Sequence, residues 1–178
     1  MQGQPDPATL ADKMAIQEQI RNYCRAVDRL DVPLGHGVFH DDSHADYGPA
    51  IYQGPGKGLI DAICRQHLDL ISHSHQVTNV LIEVTGERAG SESYVFGTMR
   101  RRVDEGQIMH VGIWGRYLDA WEKRDGCWRI LRRMVVFEHD ERREVTPIGQ
   151  DMRSSRDGED PSYRFLTARQ WGDQACQL

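Results

Sequence analysis

QIMHVGIWGRYLDAWEKRDGCWRILRRMVVFE, residues 107–138, is the stretch that decides the fold class. Two long runs, Gln107 to Glu122 and Cys127 to Glu138, alternate between apolar and polar residues and flank Arg124-Asp125-Gly126. Alternation at period two sends successive side chains to opposite faces of a sheet, and Asp-Gly tolerates positive φ, so the stretch reads as a β-hairpin. The pattern continues backwards through Gly90 to Arg102 and Gln76 to Val84, with turn chemistry at Asp104-Glu105-Gly106 and Gly86-Glu87. Four strands joined by short turns make an antiparallel meander.

Upstream of His73 the period becomes helical. Ile16, Ile20, Tyr23, Val27 and Leu30 mark one buried face of a helix from about Thr9 to Leu30, with Thr9 as its cap and Asp12 as capping-box partner. Pro33 opens a second short helix ending near Phe39. Asp46 to Gln53 reads as a short strand closed by Gly54-Pro55-Gly56, and Leu59, Ile63, His67 and Leu70 or Ile71 mark a third helix. Helices first and strands after imply an α+β fold, N-terminal helices packed on a curved antiparallel sheet with a pocket between the layers. We expect one domain over residues 1–145 and a polar tail over 146–178. The tail would pack through Tyr163-Arg164-Phe165-Leu166, on the domain or on a neighbouring subunit.

The chain has 178 residues and a net charge of −5, which leaves no basic excess for nucleic acid. It contains no long apolar run to span a membrane, and its polar start lacks the core of a signal peptide, which points to the cytoplasm. The four cysteines, Cys24, Cys64, Cys127 and Cys176, are far apart and read as neither a zinc site nor a disulfide frame. His36, His40 and His44 recur every four residues, but a turn at Asp41-Asp42-Ser43 interrupts them, so we expect no metal. Gly54-Pro55-Gly56-Lys57-Gly58 lacks the context of a phosphate loop, and no cofactor is expected.

Three segments, in this order, carry a family resemblance: Ala15-Ile16-Gln17 through Tyr23 to Asp28; His75-x-x-Thr78-Asn79; and Gly115-Arg116-Tyr117 through Arg124-Asp125-Gly126-x-Trp128-Arg129-Ile130. The sequence resembles the SnoaL-like branch of the nuclear transport factor 2-like superfamily over roughly Ala8 to Glu138. The resemblance implies a cystatin-like conical half-barrel. Family members with known chemistry include scytalone dehydratase, bile-acid 7α-dehydratase, hexachlorocyclohexane dehydrochlorinase and polyketide cyclases. By that resemblance Asp28 and His75 match a catalytic Asp/His pair, Tyr23 matches a tyrosine of the bile-acid enzyme, and Arg133 matches a pocket arginine. The resemblance also implies a homo-oligomer, a trimer first and a dimer next. The long strands independently leave an outer sheet face to be covered.

These residue types suit an elimination. Imidazole has an unperturbed pKa of about 6.5, and a carboxylate on its other nitrogen fixes the tautomer and favours the imidazolium. His75 is then the base and Asp28 its orienter. Tyr23 would donate to a leaving group or oxyanion, and Arg133 would hold negative charge. Periodicity alone makes Asp28 solvated, since it lies roughly 110° from the centre of the apolar stripe. Tyr23 is explained nearly as well by packing, whereas Arg133 alternates with Leu131 and Val135 on an apolar face and needs a partner or a wet pocket. His73 is the rival of His75. Phe39, Tyr47, Phe96, Met109, His110, Trp114 and Phe137 are the expected substrate-binding residues.

The expected activity is therefore that of a cofactor-independent lyase. It would act on a small apolar substrate, aromatic or cyclic, with loss of water, halide or a small aldehyde such as formaldehyde from an aromatic compound. The alternatives are a non-catalytic small subunit or apolar-ligand carrier of the same fold, and a ketosteroid-type isomerase.

Overall fold

The computed structural model describes residues 6–104 and 106–166. Among these the order is α1 (Pro7–Arg29), α2 (Val32–Val38), β1 (Phe39–Asp46), β2 (Gln53–Pro55), α3 (Gly56–Gln66), β3 (Ser72–Thr85), β4 (Arg88–Asp104), β5 (Gln107–Arg124), β6 (Cys127–Val145) and the single turn α4 (Ser162–Phe165). Helix α1 starts ahead of Thr9. The Asp6 carboxylate accepts from the amides of Ala8 at 2.9 Å and Thr9 at 3.0 Å, and Pro7 takes the first helical position. Thr9 instead donates its hydroxyl to Asp6.

The sheet is open and mixed, in the order β2-β1-β6-β5-β4-β3. β1 runs parallel to β6, and every other pair is antiparallel. The parallel strand corrects the expected strand over Asp46 to Gln53. Its partner lies far along the sequence, so local pattern does not reveal it, and residues 47–52 form the turn between β1 and β2. β6 likewise runs past Glu138 to Val145. His139 to Glu144 are polar on both faces, but their ladder to β5 holds them extended.

Breaks in register bend the strands. In β3 the break falls between Thr78 and Leu81, where Asn79 takes φ 48°. In β6 Leu131 and Glu138 are the extra residues. Ile130 and Arg133, not Leu131, therefore share the inner face, which corrects the simple alternation read from sequence. The second break presses the Val136 carbonyl towards Gly115, where a Cβ would lie 2.6 Å from its oxygen, so that position must be glycine. The hairpin turn has Asp125 at φ 51° and Gly126 at φ 79°, both in the region a primed two-residue turn requires.

Ile16, Ile20, Tyr23 and Val27 of α1, with Leu59 and Ile60 of α3, pack on Val95, Tyr117, Trp121 and Ile130 of the sheet. Each fully buried side chain of this size contributes about 1.5–3 kcal/mol. The described part of the tail folds back on its own domain. Arg156 donates to the carbonyls of His67, Leu68 and Leu70 beyond the C-terminus of α3, where carbonyls lack helical partners. Asp160 lies 3.4 Å from Arg29, and Arg25 stacks over the ring of Tyr163. Cys24 and Cys64 are free and buried. No described helix is long and apolar enough to cross a membrane.

Candidate active site

β3 is a free edge of the sheet, and α1 runs alongside it. A free edge leaves outward amides without ladder partners. Asp28 takes one of them. Its Oδ2 accepts from the His75 amide at 3.0 Å, while its Oδ1 accepts from His75 Nδ1 at 2.7 Å. The two side chains are 16% and 17% exposed. This explains why Asp28 lies off the apolar stripe of α1: the flank of the helix, not its buried face, meets the strand edge.

A proton on Nδ1 shared with a carboxylate leaves the lone pair on Nε2. Nε2 makes no hydrogen bond among the described residues. The Cδ2–Nε2 edge of the ring lies over Gly97, where a Cβ would sit 3.7 Å from both atoms. Alanine fits there, and a longer side chain would cover the nitrogen. Asp28 and His75 line a cleft of about 320 Å³ together with Arg21, Cys24, Arg25, Arg29 and Val77. A second hollow of about 430 Å³ shares Asp28 and Arg29 and reaches His73 and the tail residues Ser154 to Asp157. A larger hollow of about 680 Å³ lies on the outer face, around Leu81, Ala120 and Leu131, away from the pair.

Tyr23 and Arg133 are placed elsewhere. Arg133 lies in the core with its side chain wholly buried, donating Nε and Nη2 to the two oxygens of Asp119 at 2.7 and 2.8 Å. Its guanidinium carbon is 4.0 Å from the Tyr23 ring centre and 4.2 Å from that of Tyr117. Burial works against its charge, but the Asp119 carboxylate holds it firmly protonated, and Nη1 stays unpaired. The Tyr23 hydroxyl is 2.6 Å from that of Tyr47, and burial pushes both phenols upward. Phe39 is buried against Tyr23. These residues fill the interior instead of lining the open cleft, because the partner that Arg133 needs is a carboxylate across the β5–β6 ladder.

Among the remaining candidates, Phe96 and Trp114 are stacked, and Trp114 stacks in turn on His139. Their register places them, with His110, on the outer face, opposite His75. Alternation separates the faces of a strand but does not say which one the helices cover, so these three were misplaced. Met109 and Phe137 do lie on the inner face, with Met99, Val111 and Ile113 between them and His75. His73 shares the face of His75, but its Nε2 is bonded to the Val27 carbonyl at 2.8 Å and its ring is buried against His67. Burial lowers the pKa of both, that of His67 to about 4. His36 bonds Asp61 and His40 bonds the Glu122 carbonyl, so they and His44 form no common metal face, and no cluster of metal-ligating residues occurs among the described residues.

Residues 8–134 match the family described as SnoaL-like domain. The chain belongs to that family. An uncharacterized protein of Mycobacterium tuberculosis is 27% identical to this SnoaL-like protein over 132 residues, covering 71% of this chain and 86% of the relative. A solved type 2 hexachlorocyclohexane dehydrochlorinase superposes with a TM-score of 0.66 at 20% identity, over 81% of this chain and 95% of that one. A scytalone dehydratase-like protein of Novosphingobium aromaticivorans gives 0.61 at 23%, over 81% and 97%. A Kribbella flavida protein gives 0.65 at 15%, over 75% and 95%. These likenesses show the fold that this SnoaL-like domain shares.

Within this SnoaL-like domain, the sequence reading overlooked Gly97 and the row Arg21, Arg25 and Arg29. The arginines recur every four residues on α1, a signal present in the sequence but indistinguishable there from a solvated face.

Proposed function

We propose that this protein is a cofactor-independent lyase in which His75 is the base and Asp28 orients it. The observation that carries the reading is the doubly bonded carboxylate: one oxygen on the ring, the other on the backbone amide of the same residue. The second bond fixes the carboxylate, so the ring is held in the tautomer that offers Nε2. Nε2 removes a proton from carbon, the C–H electrons form the new π bond, and the leaving group departs with its own pair from the neighbouring carbon. Halide leaves as the anion, and a hydroxyl leaves as water by taking back the proton that Nε2 has accepted. A retro-aldol substrate would instead give its hydroxyl proton to His75. The new C=O forms as the C–C bond breaks, and its electron pair passes to an electron-accepting group on the remaining fragment. His75 returns the proton there, and a small aldehyde such as formaldehyde is released. Positioned proton transfer contributes roughly 10²–10⁴ in rate.

The half-buried inner strip of Met99, Val111 and Ile113, with Phe137 beside it, supports an apolar, ring-containing substrate. The fold shared with a dehydrochlorinase and a scytalone dehydratase-like protein supports an elimination. Tyr23 and Arg133 have no direct part in this reading, which also weighs against a ketosteroid-type isomerase needing Tyr23 as donor. The filled interior around Tyr23, Tyr47 and Tyr117 favours one second reading, a non-catalytic subunit of the same fold. A screen of halogenated, hydroxylated and aromatic diol substrates on wild type, His75→Gln and Gly97→Leu separates them. Turnover that disappears in both variants, with alanine at 97 tolerated, supports the lyase. Turnover that survives His75→Gln overturns it.

Self-association belongs to the same reading. Leu81, Tyr94 and Met134 are exposed on the outer face beside the Phe96–Trp114–His139 stack, an apolar surface suited to another copy, with a trimer expected first.

A further inference from the structure

We propose that the substrate carries a carboxylate, held at the mouth of the cleft by the arginine row of α1 with Arg25 at its centre. The proposal rests on the reading of Asp28 and His75 as the reactive pair, because all three arginines line the cleft that holds the pair. The whole chain is acidic, with a net charge of −5, whereas the residues lining this cleft are three arginines against one carboxylate, Asp28, a local excess of positive charge beside the base. Such a patch raises the local concentration of anions.

The pairing within the row singles out Arg25. Arg29 already faces a carboxylate, Asp160 of the tail, at 3.4 Å. Arg21, itself exposed, has the half-buried Glu18 at 3.7 Å and donates to Gln17 Oε1 at 3.5 Å. Arg25 has no carboxylate partner among the described residues. It donates to the Ser162 hydroxyl at 3.3 Å and covers the Tyr163 ring at 5.0 Å. Like charges four residues apart on a helix repel one another, and Asp28, the acid between Arg25 and Arg29, has both oxygens committed to His75, so the row is relieved when an anion binds. Asp160 marks where the protein itself places a carboxylate against this row, one turn beyond Arg25.

The interior arginine cannot take this role. Two of its donor groups are committed to Asp119, and its side chain is wholly buried. Charge on a substrate must therefore be met at the cleft mouth. A carboxylate on Arg25 leaves the rest of a small molecule directed past Cys24 and Val77 towards His75, the other residues of the cleft. Its volume of about 320 Å³ is at the small end of the range for ligand pockets, so the acid is a single-ring or short-chain one.

The test titrates intact protein with benzoate, benzamide and inorganic phosphate by calorimetry, at low and high salt. The proteins are wild type, Arg25→Gln, Arg21→Gln and His75→Gln, each checked for folding by its melting curve. Charge-assisted bonds of this kind are worth roughly 10–100-fold in affinity. Benzoate is expected to bind wild type at least tenfold more tightly than benzamide, with the preference shrinking as salt rises. Arg25→Gln should bring the preference near unity, Arg21→Gln should reduce it less, and His75→Gln should keep it. Equal binding of benzoate and benzamide, no benzoate binding, phosphate preferred to benzoate, or a preference untouched by Arg25→Gln overturns the proposal. If Arg25→Gln melts early, loss of the preference in Arg25→Lys, which keeps the charge but not the planar fork, still overturns a purely electrostatic steering role and supports a seated carboxylate. Benzoate preference intact in a protein that turns over no substrate would sink the lyase reading and leave the arginine row standing.

Discussion

Replacing Asp28 by asparagine keeps the volume and removes one acceptor. The carboxylate receives two hydrogen bonds, from His75 Nδ1 at 2.7 Å and from the His75 amide at 3.0 Å, one on each oxygen. An amide has one oxygen and one NH₂, so it can satisfy only one of these donors. With the NH₂ towards the backbone, two donors face each other at a site 17% exposed, which costs about 1–3 kcal/mol. For a domain of this size that lowers the melting temperature by roughly 2–12 °C. With the NH₂ towards the ring, Nδ1 must accept and the proton moves to Nε2. The base then has no lone pair to offer, and turnover falls by roughly 10²–10⁴. The variant must therefore lose stability, the tautomer, or both. Nitrogen NMR of the imidazole at neutral pH reads the tautomer, and thermal melting reads the stability. Wild type should show Nδ1 protonated. A wild-type ring protonated on Nε2, or an Asp28→Asn protein with both tautomer and melting temperature unchanged, refutes the argument.

Asp119→Asn strands the charge of Arg133 in the core and should destabilise by about 3–5 kcal/mol, read as a lower urea midpoint; an unchanged midpoint contradicts the buried pair. His67 is pushed down from 6.5 to about 4, first by burial and then by His73 and His75, so it stays neutral in the fold while the unfolded chain binds a proton. Stability from this group is full above about pH 6.5 and drains as the pH falls towards 4, by about 1–3 kcal/mol after solvent screening; His67→Gln should flatten that slope in urea titrations at pH 7 and 4.5. Tyr94→Lys and Leu81→Glu place charge on the outer sheet face and should shift the protein towards monomer in sedimentation; a wild type that is monomeric at high concentration removes the self-association proposal.

The meander was legible because period two is a local property. The turn at Asp125-Gly126 and the apolar faces of α1 and the strands needed no knowledge of partners. β1 was not legible, since its stability comes from a parallel neighbour far along the chain. The charged end of β6 was missed for the same reason. The site shows the same division. Asp28 and His75 were named through the family resemblance, while periodicity argued against Asp28 because it assumes that a helix has one functional face. Arg133 was correctly singled out as a charge needing a partner, but the partner proved to be Asp119, the residue opposite it on β5, and not a ligand.

The amino-acid order by itself determined the class of fold, the helices before the strands, the hairpin turns and which residues alternate together. Those follow from backbone preferences and side-chain periodicity within a few residues. Only the tertiary structure decided which sheet face is inside, that α1 lies along the free edge of β3, and that an aspartate on its flank bonds both ring and backbone of His75. These are distances between segments far apart in the chain, set by packing and register breaks that no local pattern encodes.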